Sequence, residues 1–157
     1  MSLEASSETE EMERWHRISM HVRTACSVVE RVGTDVLIKF DGARDNDEIY
    51  TVVLDVGRET SYREDSSDLE EALSRFFGAS LSGATSPADD FAEPLRSFDL
   101  LAKRGFVVGL IIMRVGTHLE FEVFLSRDDK TFEPMKRRGP VFGIVANEII
   151  RYAGQSL

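Results

Sequence analysis

Residues 106–126, FVVGLIIMRVGTHLEFEVFLS, carry the strongest strand pattern in the chain. The first part, Phe106 to Val115, is apolar without alternation, which is typical of a central strand covered on both faces. The second part, His118 to Ser126, alternates between apolar and polar residues, as a strand with one core face and one wetter face does. Gly116 and Thr117 between them fit a two-residue type II′ turn. These residues predict an antiparallel hairpin in the middle of a sheet.

The pattern of the remaining chain predicts the same types of element on either side of a turn-rich segment. Helical spacing of apolar residues, capping boxes and closing glycines mark the helices, and β-branched or aromatic runs mark the strands. In chain order these are a helix at 8–32, strands at 34–40 and 48–56, a helix opened by Ser67 and Glu70 and ended by Gly78, a helix at 94–105, strands at 106–115 and 118–126, and a helix at 140–154. We therefore predict an α+β fold whose antiparallel sheet has about four strands in two hairpins, in the order αββααββα.

Length and composition fit one globular domain over residues 1–157. A chain of this length can bury roughly 68–70% of its unfolded surface, and 42% of its residues are hydrophobic. We expect disorder in residues 1–7, the start of an acidic and polar segment that extends to Glu13, and a flexible internal linker at 78–90, where small and turn-forming residues collect. A single cysteine, Cys26, cannot form an internal disulfide, and the sequence has neither a secretory signal nor an apolar run of bilayer length. We expect a cytoplasmic protein without membrane contact.

The negative charge of the chain lies in its first half. Residues 1–71 hold 18 acidic and 8 basic side chains, whereas residues 72–157 hold 10 and 11, within a total net charge of −9. An acidic field repels phosphate backbones, so nucleic acid is not expected as a partner. The charge either keeps a small protein soluble or forms a recognition surface for a basic partner.

The predicted sheet has more apolar side chains than one covered face can hide. Leu37, Ile49 and Val53 of the first hairpin and Phe124 of the second leave apolar groups on the second face. Burying one such side chain is worth roughly 1.5–3 kcal/mol, so several left in water would forgo on the order of 10 kcal/mol. Either the helices divide between the two faces, or a second copy or another protein covers one of them. These four residues are the candidate partner-binding residues.

No residue pattern predicts a catalytic residue, a metal ligand or a cofactor. The chain lacks a nucleophile elbow, a His-Glu-x-x-His pair, a Cys-x-x-Cys pair and a phosphate-binding loop. The most asymmetric local feature is Lys136-Arg137-Arg138, which lies in a predicted polar loop ahead of a helix expected to begin at Pro140. Cations beside a helix N-terminus attract anions, so these three residues are candidate anion-binding residues. The alternatives are a solvated loop, or contact with the acidic first half.

Small size, acidity, a helix at each end and antiparallel strands with a partly apolar second face resemble, in broad architecture, the bacterial dimeric chaperones of type III secretion. The resemblance implies a homodimer that holds an extended segment of a partner protein in apolar grooves. Two other functions fit the charge and the anion candidate: an immunity-type inhibitor of a basic toxin, and a small-ligand domain that binds an anion. We expect a non-enzymatic protein-binding module.

Overall fold

A computed structural model describes residues 3–55, 61–78 and 91–156. The described residues form one six-stranded antiparallel sheet and four helices. In chain order these are α1 (Leu3–Val32), β1 (Asp35–Asp41), β2 (Tyr50–Asp55), β3 (Ser61–Ser66), α2 (Leu69–Phe77), α3 (Ala92–Lys103), β4 (Phe106–Val115), β5 (His118–Arg127), β6 (Met135–Gly139) and α4 (Phe142–Gly154). The predicted α+β class and antiparallel sheet are confirmed, whereas the predicted number of strands, about four, is wrong.

The strands lie in the order β3-β2-β1-β4-β5-β6. Both predicted hairpins are present, with β1 paired to β2 and β4 paired to β5. Strands β1 and β4 pair antiparallel and so join the two halves of the chain. The unalternating strand β4 therefore lies in the interior of the sheet, as its apolar sequence predicts.

The two unpredicted strands, β3 and β6, are the edges of the sheet. Their sequences, SYREDS and MKRRG, are polar and charged, and the segment predicted as a loop at 127–139 contains β6. An edge strand needs only one partner, and charged side chains on an edge protect it from pairing with other chains. The sequences of β3 and β6 therefore show no hydrophobic alternation, and these two strands are held in the sheet by their pairing with β2 and β5.

Several element ends differ from the predicted ones. Helix α1 begins at Leu3, so residues 3–7 of the segment expected to be disordered are helical; Leu3, Glu4 and Ala5 are good helix formers. Helix α2 is capped by Asp68, whose carboxylate accepts a hydrogen bond from the Glu71 amide at 3.2 Å. The cap therefore lies one residue after the predicted Ser67. Of the predicted linker 78–90, residues 79–90 lie outside the described residues.

The helices of the described chain pack on the same face of the sheet. Their buried side chains and those of alternate strand residues form a single hydrophobic core. The fully buried strand residues of this face are Val36, Ile38, Phe40, Val52, Phe106, Val108, Leu110, Ile112 and Val123. The helices do not divide between the two faces, so one of the two alternatives for covering the second face is not realised by the described elements.

Strand β1 ends against the turn between α3 and β4. The Gly42 amide donates a hydrogen bond to the Phe106 carbonyl at 3.0 Å. A Cβ added to Gly42 would lie 2.0 Å from the Ala102 carbonyl oxygen and 2.6 Å from that of Phe106. Both obstacles are backbone atoms, so this contact between β1 and the turn requires a glycine.

Replacement of Gly42 by alanine should lower the free energy of unfolding by roughly 2–3 kcal/mol, because the backbone has to move to relieve the overlap. Gly143→Ala is the matched control: a Cβ at Gly143, within α4, meets no atom within 4 Å. That substitution should stabilise the protein by roughly 0.5–1 kcal/mol, since alanine is the better helix former. Urea unfolding followed by circular dichroism measures both, and an equal effect of the two would contradict the steric argument.

Candidate protein-binding face

The sheet face opposite the helices, called here the helix-free face, has an apolar centre. Successive strand residues point to opposite faces, so the neighbours of the core residues point away from the helices. The apolar centre consists of Leu37, Val53, Val107, Ile111, Met113 and Phe124, each partly exposed. None of these six packs against the hydrophobic core beneath the helices. No element among the described residues covers this side of the sheet.

Cross-strand pairing brings the apolar centre together. Leu37 of β1 lies opposite Val53 of β2 on one side and opposite Ile111 of β4 on the other. Directly opposite residues have Cβ atoms about 4.5–5.5 Å apart, so these three side chains form a continuous apolar row across three strands. The row ends at Arg63 of β3 and at Glu122 of β5.

Phe124 lies flat across the sheet instead of standing up from it. A Cβ added to its cross-strand neighbour Gly109 would lie 1.9 Å from the tip of the Phe124 ring. The missing side chain at Gly109 therefore leaves the space that the ring occupies, and the ring shields a glycine backbone in the centre of the sheet. Phe124 is partly exposed and Gly109 is buried.

Ile49 occupies a different place from the other three candidate partner-binding residues. It precedes the first paired residue of β2 and packs against the main hydrophobic core. Its carbonyl accepts a hydrogen bond from the Asp41 amide at 2.7 Å. The structure thus places Leu37, Val53 and Phe124 on the helix-free face and Ile49 at the edge of the core.

A network of charged side chains borders the apolar centre on the β3 side. Arg44 lies 3.4 Å from the Asp41 carboxylate and 3.2 Å from that of Asp65, and it donates a hydrogen bond to the Thr51 hydroxyl at 3.0 Å. Thr51 in turn donates to Asp65 at 2.6 Å. Hydroxyl and guanidinium donors favour the ionised carboxylate, so the Thr51 hydroxyl first, with Arg63 and Arg44, lowers the pKa of Asp65 to about 2.

The candidate anion-binding residues lie on edge strand β6, not in a loop ahead of α4. Because successive side chains of a strand point to opposite faces, the three cations do not lie on the same side of the sheet. Lys136 and Arg138 are on the helix-free face, 4.0 Å from Glu122 and 2.5 Å from Glu120, whereas Arg137 points to the helix side and lies 3.3 Å from Glu148 of α4. Each cation has a carboxylate beside it, and the three do not converge on one point. Anion binding by Lys136, Arg137 and Arg138 stays a prediction.

One buried polar group on the helix side joins the sheet to α3. The Tyr50 hydroxyl donates to the Asp99 carboxylate at 2.5 Å, and Lys103 lies 3.1 Å from the other Asp99 oxygen. Tyr50 and Asp99 are almost completely buried. Burial, followed by the hydrogen bond to Asp99, raises the pKa of Tyr50. The phenol therefore stays a proton donor at neutral pH, as in a structural link between strand and helix.

The other side chains with potential chemistry do not assemble into a site. His21 is buried in α1, where burial lowers its pKa, and Cys26 is buried in the same helix. His118 is exposed beside Glu120 at 3.5 Å. Among the described residues, no three His, Cys, Asp or Glu side chains are placed to hold a metal ion.

Comparison with models of protein families, with curated proteins and with solved structures gave no match to this chain. No helix in the described part of the chain combines the length and the apolar character that crossing a bilayer requires. The geometry of the helix-free face therefore provides the indication of function in the described part of the chain.

The lowered pKa of Asp65 predicts a component of acid unfolding. Because the folded pKa, about 2, lies below the ordinary value of 3.8, Asp65 stabilises the fold above about pH 5, and this contribution is lost as the pH falls towards 2. Asp65→Asn should lower the free energy of unfolding at about pH 6, and the difference from the unmodified chain should shrink on acidification. Unfolding by urea at a series of pH values measures it.

The control for this prediction is Asp45→Asn, which changes an exposed carboxylate in the loop between β1 and β2. Its effect on the free energy of unfolding at about pH 6 should be small, because a solvent-exposed carboxylate contributes little to stability. A constant difference between Asp65→Asn and the unmodified chain down to about pH 2 would show that the network does not act on Asp65 as described.

Proposed function

We propose that this chain is a protein-binding module that engages its partner with the helix-free face of its sheet. The observation that carries the proposal is the one-sided placement of the described helices, so that no described element covers the apolar centre, which lies among charged side chains. An apolar centre with a polar rim is the general organisation of protein–protein interfaces. A contiguous exposed apolar patch on a small protein indicates an interaction surface.

The magnitude of the remaining hydrophobic gain favours a reversible interaction. The six side chains of the apolar centre already cover one another in part. Covering the rest would add on the order of 3 kcal/mol per copy, taking roughly a quarter of ~2 kcal/mol from each side chain. This is less than the ~10 kcal/mol expected from the sequence, because neighbours on the same face exclude water from each other. The fold can therefore be stable without a bound partner.

The three functions expected from the sequence differ in where they place the contact. A chaperone-like module, as the resemblance implies, would use the apolar centre. An immunity-type inhibitor would use exposed carboxylates such as Glu10 and Glu13 of α1. An anion-binding domain would use Lys136, Arg137 and Arg138, whose ion pairs would have to open first. The uncovered apolar centre supports the first of these placements.

A photo-crosslinking amino acid placed at Val53 or Ile111 tests the proposal in the cells that produce the protein. Both positions lie in the apolar row, so irradiation should give covalent adducts with the bound partner. The matched control is the same amino acid at Leu100, an apolar position on α3 whose side chain is 50% exposed but lies on the helix side. Adducts are read as discrete higher-mass species on denaturing gels.

The same amino acid at the exposed position Glu10 probes the acidic helix α1. Adducts from Val53 and Ile111 but not from Leu100 or Glu10 would support the helix-free face as the binding surface. Adducts from Glu10 and none from the apolar row would instead place the contact on the acidic helix α1, in agreement with an inhibitor of a basic protein. Equal labelling at all four positions would indicate random collisions and would contradict the proposal.

A further inference from the structure

The helix-free face is nearly neutral although the chain is strongly acidic. On the described strands, its carboxylates are Asp35, Asp41, Asp55, Asp65, Glu120 and Glu122 and its cations are Lys39, Arg63, Lys136 and Arg138; Arg44, from the loop between β1 and β2, reaches this face through Asp41 and Asp65. Six against five gives a net charge of −1, and the other residues carry the remaining −8 of the total −9. This face therefore contributes little to the acidic field of the molecule.

The cations of this face are already paired within the chain. Lys39 lies 3.1 Å from Asp41, and Arg63 lies 3.3 Å from Asp65. Arg44, Lys136 and Arg138 pair as described above. A partner recognised mainly by its opposite charge would need free charges of one sign here, and paired charges do not supply them. The partner that fits is an apolar, near-neutral surface of matching size.

We propose that this partner is a second copy of the same chain, packed sheet against sheet about a twofold axis. The proposal rests on the proposed binding face and names its occupant. In a twofold interface the same patch meets itself, so the apolar row of one copy faces the apolar centre of the other. Each copy then points its helices, and the surfaces that hold most of the negative charge, away from the other. Packing through this face covers the apolar centre and keeps the helices of the two −9 chains on opposite sides of the dimer.

The dimensions of the sheet agree with a dimer of ordinary size. Six strands about 4.8 Å apart, paired over about six residues of ~3.4 Å each, span a plane on the order of 500–600 Å². Protruding side chains expose more surface than a flat plane, which brings the face close to the ~800 Å² per partner of a standard interface. Face-to-face sheets pack about 10 Å apart with interlocking side chains, which the low profile of Phe124 over Gly109 permits.

Light scattering coupled to size exclusion, with the purified full chain, tests the proposal. The expected mass at concentrations of about 100 µM is twice the 17.7 kDa of the chain, with dissociation on dilution. Raising the salt concentration from about 0.05 M to about 0.5 M should strengthen the dimer several-fold, because it screens the repulsion between two acidic chains. An association through opposite charges would weaken under the same change.

Substitutions locate the interface. Ile111→Lys in the apolar row should weaken the dimer at least tenfold, because it buries a charge at the twofold interface. Val53→Lys, on β2 nearer the sheet edge, is the milder second variant. Leu100→Lys, on the helix side, should leave the dimer unchanged. Circular dichroism verifies that each variant is folded, and the mass and salt response of the unmodified chain decide the question even if a variant does not fold.

A monomeric mass at about 100 µM in both salts, or a dimer weakened by Leu100→Lys and not by Val53→Lys, would overturn the second copy as the occupant. The proposed function is judged separately by the crosslinking experiment. If Val53 and Ile111 give adducts with the mass of another protein and the chain is monomeric, the helix-free face remains the proposed binding surface, but its partner is a different protein. Adducts of twice the chain mass from the same positions would support both proposals.

Discussion

The apolar character of β4 on both of its sides constrains the rest of the structure. The strand lies between β1 and β5, so its backbone is paired along both edges and its side chains emerge on both faces of the sheet. Val108, Leu110 and Ile112 are completely buried beneath the helices. Ile111 and Met113 emerge on the opposite side, where the described chain offers no layer to cover them. The described elements thus form two layers, a sheet and helices on one of its faces, although the central strand has the sequence of a strand that is covered on both faces.

The protein reduces the cost of this arrangement within the sheet itself. Phe124 lies across Gly109 and hides a backbone that would otherwise face water, and the row of Val53, Leu37 and Ile111 shares its exposure among neighbours. Ion pairs at both ends of the row hold long side chains beside the apolar centre. These contacts each remove some apolar surface from water. They explain how a single chain can fold with an apolar face, and why covering that face would add only a few kcal/mol to the stability.

Sequence patterns predicted the parts of the fold that burial dictates. Strand β4 follows from its continuous apolar run, and strand β5 and helix α1 follow from hydrophobic periodicity. The parity of alternation was enough to place Leu37, Val53 and Phe124 on the second face. The same alternation along β4 also predicts that Ile111 and Met113 lie on the second face, although neither was among the candidate partner-binding residues.

Other features had no local signal. Ile49 precedes the strand pairing, so alternation does not fix its direction, and it packs against the core. Strands β3 and β6 carry charged sequences because they are edges, and only their pairing with β2 and β5 makes them strands. Adjacency in the sequence did not show how Lys136, Arg137 and Arg138 are arranged: they lie on β6, and a strand sends neighbouring side chains to opposite faces.

The charged edges also bear on how this sheet can associate. A sheet can extend by adding strands at its edges or by covering its face, and the first route exposes backbone groups that must find a partner strand. Here the edge strands present Arg63, Glu64 and Asp65 on one side and Lys136 to Arg138 on the other. Bringing another strand alongside would require these side chains to exchange their present ion-pair partners or lose water. The face, in contrast, offers apolar side chains whose neighbouring charges are already paired, so association there disrupts no existing contact. The same distribution of residues that protects the edges thus favours the centre of the sheet as the place for the proposed association.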